Sequence, residues 1–400
     1  AMRDFAAIAQ PYQEEIARCA SELIQLPSHS THEQDMAKYV EQKMRDLGYD
    51  KVEVDRYGNV FGTVKGTGGG SPVLLNCHMD VVDEGDPAKW KYPPFGGVMA
   101  EGRIWGRGAS DTKGTMAIQI YAPIILKRAG LTPKGDMVCA CVVCEENAGF
   151  GSMMHTRDGA YITDYALFGE ASENNLAIGS RGRFCALITI HRKACHASIP
   201  HEGKNPFDFL AELLPRLKQV ELGSDELFGS STMSVTRIVS SEPGTNVIPN
   251  DVVVYVDFRS CSTDTEEVAL GKIQAAIDSV PLEGYTVDLR ALYFPLTTYT
   301  GFEGEGYQGE APFAVSPDEP YVAECRQVLE ELTGHEIKTY PWAFATDAGH
   351  YASKGVKCLG YSPAEIRFCH TTLDQVELKA MEESVAGHLA LLDLLANKEK

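Results

Sequence analysis

The sequence predicts an α/β protein in two parts, a catalytic domain and a smaller βαββαβ domain inserted into it. Three observations predict this. Short apolar runs at 74–77, 137–144, 165–168 and 357–361 read as strands that stop on polar residues, the pattern of open α/β sheets that carry their chemistry at strand ends. From Arg183 the rhythm changes to strand 184–191, helix 205–219, strand 232–240, strand 251–259, helix 264–279 and strand 284–291. A chain of 400 residues has room for two or three domains. The boundaries that follow are 1–182 and 297–400 for the catalytic domain and 183–296 for the insert.

Taken in order, the strand ends look like pieces of a metal site. The first runs into His78-Met79-Asp80; one imidazole nitrogen of His78 can hold a divalent ion while Asp80, on the same strand face, holds the other. Alone, the pair reads equally well as a core histidine capped by a carboxylate. Next, Gly106-Arg107-Gly108 leads to Asp111, whose two oxygens can bridge two ions. The second strand ends on Glu145-Glu146, and adjacent carboxylates repel unless cations or protons compensate them. The third ends on Glu170, and a loop beyond the last strand carries Cys369-His370-Thr371.

His78, Asp111, Glu146, Glu170 and His370 are enough for two ions bridged by Asp111, which leaves Glu145 over. Two-metal hydrolysis needs a water activated by the ions and a nearby general base, and Glu145 is the candidate base. The mixed nitrogen and oxygen ligands favour Zn, with Co or Mn as alternatives.

The series Cys77-His78-Met79-Asp80, Gly106-Arg107-Gly108 with Asp111, Lys113 and Gly114, Glu145-Glu146, Glu170, Ala194-Cys195-His196-Ala197-Ser198-Ile199-Pro200, Asn246-Val247-Ile248-Pro249 and Cys369-His370-Thr371 resembles the M20 metallopeptidase and deacylase family. It looks most like the branch of acetylornithine deacetylase and succinyl-diaminopimelate desuccinylase. The resemblance implies a zinc-exopeptidase-like α/β catalytic domain with an inserted ferredoxin-like βαββαβ lid that also forms a homodimer. It implies one ion on His78, Asp111 and Glu170 and the other on Asp111, Glu146 and His370, with Asp80 orienting His78, Glu145 as base and a cis peptide bond at Asp111–Thr112. His196 on the lid would stabilise the oxyanion, and Asn246 and Arg259 would meet the substrate's carbonyl and carboxylate.

The lid residues also have plainer readings: His196 as a loop histidine, Asn246 as a turn residue after Glu242-Pro243-Gly244-Thr245, Arg259 as a surface partner of Asp257. Asp347 reads as a site neighbour or a helix N-cap. Two departures from the family pattern, Arg192 before the lid histidine and Ala364 in a usually glycine-containing loop, bear on substrate identity. A Gly-x-Gly-x-x-Gly match at 304–309 has acidic neighbours that would repel pyrophosphate; it reads instead as a flexible connection from the lid.

Composition fits a globular enzyme, with 44% hydrophobic residues. No apolar run is long enough to span a membrane and no leader stands out, so a cytoplasmic protein is expected. The formal charge of −20, without a basic block, disfavours nucleic acid and membrane surfaces as partners. The 11 cysteines lack zinc-finger spacing and are expected to be reduced. Cys77, Cys144, Cys195 and Cys369 each precede a site residue; the favoured reading is that each fills a tight apolar spot behind the site, and sensitivity to oxidation is the alternative.

The function expected is a two-metal amidohydrolase acting on a small-molecule N-acyl amino acid or dipeptide with a free carboxylate. A dipeptidase or aminopeptidase with the same site, or a non-catalytic protein that retains metal, are the alternatives; the surplus Glu145 counts against the last. A serine hydrolase and a His-Glu-x-x-His zinc protease are disfavoured because neither motif occurs.

Overall fold

In the computed structural model, residues 3–192 and 204–400 are described; His196 and Cys195 lie outside them. The chain divides into two compact units, one of 1–180, 295–306 and 315–400, the other of 181–294 and 307–314.

In chain order the first unit opens with helices α1 (Gln13–Ile24) and α2 (Gln34–Leu47) and strands β1 (Lys51–Val54), β2 (Val60–Val64) and β3 (Val73–His78). It continues with α3 (Gly114–Arg128), β4 (Met137–Val142), α4 (Phe150–Arg157), β5 (Tyr165–Phe168) and β6 (Leu176–Ser180). The second unit contributes β7 (Gly182–Arg192), α5 (Pro206–Lys218), β8 (Thr232–Ser240), β9 (Asp251–Ser260), α6 (Glu266–Asp278) and β10 (Tyr285–Ala291). The chain returns through α7 (Pro320–Thr333), β11 (Thr339–Trp342), β12 (Lys357–Gly360) and α8 (Leu378–Leu395).

The first unit's sheet runs β1-β2-β4-β3-β5-β12-β6, with β11 against β6. Its centre is parallel: His78 lies opposite Val142, Asn76 opposite Phe168, and Gly360 opposite Phe168. Because β3, β4, β5 and β12 point the same way, whatever follows each of them emerges at one edge. These strands are buried on both faces, so they read as continuous apolar runs rather than alternations. α3 is apolar nearly all round, is buried from Gly114 to Leu126, and packs on β3 and β4. By contrast α2 is amphipathic: Met36, Ala37, Val40 and Met44 face inward, and Gly48 at φ 97° ends it.

The second unit is an antiparallel sheet of order β8-β9-β7-β10, and α5 and α6 pack on each other and on its strands. The β9 burial pattern alternates along its length, as a sheet with one covered face requires. This is the ferredoxin-like βαββαβ arrangement. One sequence expectation is corrected: 304–309 is no flexible connection. Glu303–Tyr307 is a strand of a hairpin with Tyr293–Thr297, and Gly309 and Glu310 pair with Phe184 and Arg183. The hairpin's turn is seated by Tyr299, whose hydroxyl donates to Gly58 O at 2.8 Å, and by Phe302 against Tyr57 at 4.8 Å.

Candidate metal centre

His78 is the last residue of β3, Glu145 and Glu146 follow β4, and Glu170 follows β5, so parallel strand geometry alone gathers them. Asp111 arrives from a loop whose Asp111–Thr112 peptide is cis, as the resemblance implied. Thr112 ties that loop to the strand end: its Oγ1 accepts from His78 N and donates to His78 O, both at 3.2 Å. His370 comes from the loop after β12, at φ 62°.

Asp111 is the centre of the cluster. Its Oδ1 lies 2.8 Å from His78 Nε2 and its Oδ2 lies 2.8 Å from His370 Nε2. His78 Nε2 also lies 3.4 Å from Glu170 Oε1 and 3.6 Å from Glu145 Oε2, and His370 Nε2 lies 2.8 Å from Glu146 Oε1. Two triads, His78 with Asp111 and Glu146 and His78 with Glu145 and Glu170, keep their ligand atoms within 4.8 Å of one another. A cavity of about 240 Å³ opens on the cluster, with Phe344, Ala345 and Ile366 as an apolar wall.

The electrostatics show an excess of carboxylate. Burial and Glu170 push Glu145 well up; burial and Asp111 do the same to Glu146 and raise Glu170. Burial opposes charge on His78, yet Glu145, Glu170 and Asp111 hold its pKa well above the usual imidazole value. Asp111 is held well below the carboxylate range by His78 and His370, against its own burial. Four carboxylates and two imidazoles in this space fit a pair of divalent cations, which would supply the missing positive charge.

Asp80 differs in detail from the sequence expectation. The His78 ring meets its backbone carbonyl, Nδ1 to O at 2.8 Å, more closely than its carboxylate at 3.4 Å. The carboxylate is occupied elsewhere: Oδ1 accepts from Glu145 N at 2.9 Å, and Oδ2 accepts from Glu146 N at 3.0 Å and from Ser30 Oγ at 2.6 Å. Asp80 therefore fixes both the histidine and the Glu145-Glu146 backbone.

Sequence reasoning missed the residues that hold the loops. Asp374 accepts from Gly108 N at 2.8 Å, Ser110 N at 2.9 Å and Ser110 Oγ at 2.6 Å, immediately before Asp111. Arg107 joins it at 3.2 Å and donates to Thr371 O at 3.0 Å, beside His370. One buried ion pair thus fastens both ligand loops. Nothing in the spacing of Asp374 marks it; only its place shortly after the His370 motif hints at a role.

Among the remaining expectations, Asp347 stands at the N-cap position of Ala348–Ala352 but makes no capping bond there; its Oδ2 accepts from Ser152 Oγ at 2.6 Å. Within the second unit Asn246 is exposed, and Arg259 is paired with Asp257 at 2.9 Å. Arg192 donates to Asn250 Oδ1 at 2.9 Å, and Ala364 is buried in the first unit. Cys77 and Cys144 are buried and Cys369 is half-buried.

The profile of peptidase family M20/M25/M40 matches residues 74–394. The chain belongs to this family. Escherichia coli YgeY, an uncharacterized protein, is 27% identical over 363 residues, 89% of this chain and 88% of its own. A succinyl-diaminopimelate desuccinylase of Cereibacter sphaeroides is 32% identical over 251 residues, 60% of this chain and 66% of its own. In fold, the YXEP protein of Bacillus subtilis, a dinuclear metal binding peptidase of family M20, superposes with a TM-score of 0.64 at 13% identity, covering 96% of this chain and 99% of that one. This M20 member is accordingly a hydrolase of amide bonds with candidate metal-binding groups at its strand ends.

Proposed function

We propose that this hydrolase is a two-metal amidohydrolase that cleaves an N-acyl amino acid or a short peptide bearing a free carboxylate. The observation that carries the reading is Asp111, whose two carboxylate oxygens each meet a different histidine at 2.8 Å, the disposition of a bridging ligand. His78 and Glu170 on one side, and Glu146 and His370 on the other, would complete the two ion sites, with Zn the best match to this donor set.

Two bound divalent ions supply Lewis-acid polarisation of the amide carbonyl and a more acidic water. The protein's own residues do the rest. Glu145 lines the cavity, and its burial beside Glu170 raises its affinity for a proton; ionised beside the bound cations, it would be suited to take a proton from the attacking water and return it to the leaving amine. Asp80 holds the His78 ring through Nδ1, which leaves Nε2 to face the cluster. The apolar wall of Phe344 and Ile366 would receive the non-reacting part of the substrate and exclude water. His196, Asn246 and Arg259 are proposed from the family likeness alone, as oxyanion donor and substrate contacts.

The test is a panel of N-acetyl, N-succinyl and N-carbamoyl amino acids and simple dipeptides, with Zn, Co or Mn supplied. Turnover of at least one class is expected; none across the panel overturns the reading. Glu145→Ala should keep two ions per chain and lose about 10²–10⁴-fold in kcat. Near-normal turnover in that variant would refute the base.

A further inference from the structure

A buried carboxylate outside the ligand set holds the segment that carries the base. Beyond Val142 the chain leaves the strand ladder, and its next four amides need other acceptors. Each finds a side chain: Val143 N donates to Asn59 Oδ1 at 2.9 Å, Cys144 N to Glu33 Oε2 at 3.0 Å, and Glu145 N and Glu146 N to the two oxygens of Asp80 at 2.9 and 3.0 Å. Cys144 sits at φ 53°, a conformation that a non-glycine residue keeps only when its surroundings impose it.

Glu33 is the costly member of this set. It is 0% exposed; Oε2 also receives the Cys144 thiol at 3.6 Å, while its second oxygen, Oε1, has no hydrogen-bond partner among the described residues. Burial, and then Asp80, push its carboxyl up to about 8. A buried carboxyl so poorly satisfied is a liability in a merely packed core. Its loop is devoted to the same place: Ser28 Oγ donates to Met79 O at 2.7 Å and Ser30 Oγ to Asp80 Oδ2 at 2.6 Å.

We propose that Glu33 is a positioning residue for the reaction: by receiving the Cys144 amide it fixes the turn after β4, so that Glu145 is directed to the His78 side of the cluster and Glu146 to His370. The inference rests on the two-metal reading. Glu33 touches neither substrate nor ion in this account and acts through the backbone. The two side chains it directs diverge accordingly, Glu145 Oε2 lying 3.6 Å from His78 Nε2 and Glu146 Oε1 2.8 Å from His370 Nε2.

Three variants of the full chain test it. Glu33→Gln keeps a neutral oxygen at the same reach, Glu33→Asp keeps the carboxyl but withdraws it by a methylene, and Glu33→Leu fills the space without an acceptor. For each, kcat and KM on the best panel substrate, Zn affinity by chelator competition, and the thermal midpoint are measured. Glu33→Gln should stay within about threefold of wild type in every parameter. Glu33→Asp and Glu33→Leu should lose about 10–100-fold in kcat, the scale of a small misplacement of catalytic groups, with KM nearly unchanged. They should also bind the weaker Zn at least about tenfold less tightly through Glu146.

Wild-type kcat and Zn affinity in folded Glu33→Asp or Glu33→Leu would overturn the proposal, and so would a Gln variant as impaired as Leu. If Leu does not fold, Asp against Gln decides. A wild-type protein that binds two Zn but hydrolyses nothing in the panel would count against the two-metal hydrolase instead, and the ranking of Zn affinities would still judge Glu33.

Discussion

The two ends of the cluster are built differently. His78 is 1% exposed and belongs to a strand paired on both sides, with its ring pinned by Asp80; His370 is 51% exposed and stands on a loop. The first is placed by the sheet itself. The second is placed at a distance, through Arg107 holding Thr371 O and Asp374 holding Arg107. A site assembled this way has one end that is rigid by construction and another whose precision depends on a single buried ion pair.

The largest effects should come from the histidines themselves. His78→Ala removes a ligand of the ion proposed on His78, Asp111 and Glu170 and should abolish turnover and cost the chain that Zn. His370→Ala should keep one Zn and lose the other, with turnover down by about 10²-fold or more. Metal analysis after mild chelation checks both, and two retained ions in His370→Ala would break the distinction between the ends. Asp374→Ala comes next. It leaves Arg107 buried without its partner, a defect that costs about 3–5 kcal/mol, and it frees the Gly108 and Ser110 amides before Asp111. Denaturant unfolding should show that loss, and the Zn on the His370 side should weaken more than the other.

The same contrast decides how much could be read from sequence. His78, Glu145, Glu146 and Glu170 were legible because each ends an apolar run, and parallel strands bring such ends together. The βαββαβ order of the insert was legible too, since its helices and strands differ in period and are separated by turn residues. Asp374, Asn59 and Glu33 were not. Their roles depend on which distant amides the folded chain leaves unsatisfied, and periodicity carries no record of that. The segment 304–309 was misread as loose because its glycines suggest freedom, whereas Tyr299 and Phe302 anchor the hairpin turn beside it.

Histidines away from the cluster give a sharper control, because burial that outweighs any carboxylate nearby should act in the opposite sense. His155 and His388 are both lowered by burial to about 4. A histidine lowered this way favours folding fully above its unfolded pKa, about 6.5, and its contribution is lost as pH falls from there towards 4. At pH 5 each should cost the fold roughly 2 kcal/mol relative to pH 7. His388→Asn, neutral throughout, should flatten that part of the pH–stability curve. Taking the difference between variant and wild type removes the separate effect of acid on bound ions, and an unchanged slope would refute the assignment.

The smallest effect concerns the cysteines beside the two ends. Cys77 adjoins His78 and is buried, while Cys369 adjoins His370, is half-buried and lines the cavity. Burial raises both thiols well above their usual range, which keeps them in the unreactive protonated form near neutral pH. Among the described residues, oxidation sensitivity at the site is therefore expected to be weak, confined to Cys369, and greater as pH rises. Iodoacetamide should label Cys369 slowly and Cys77 not at all in the native protein, as read by peptide mass mapping. Cys369→Ser should change kcat by less than about threefold, since the thiol's contacts, with Glu365 O at 3.8 Å and with Ser110, are weak sulfur hydrogen bonds. Rapid labelling of Cys77 would mean that the strand end opens as readily as the loop, and the rigid end of the cluster would then lose its claim to that description.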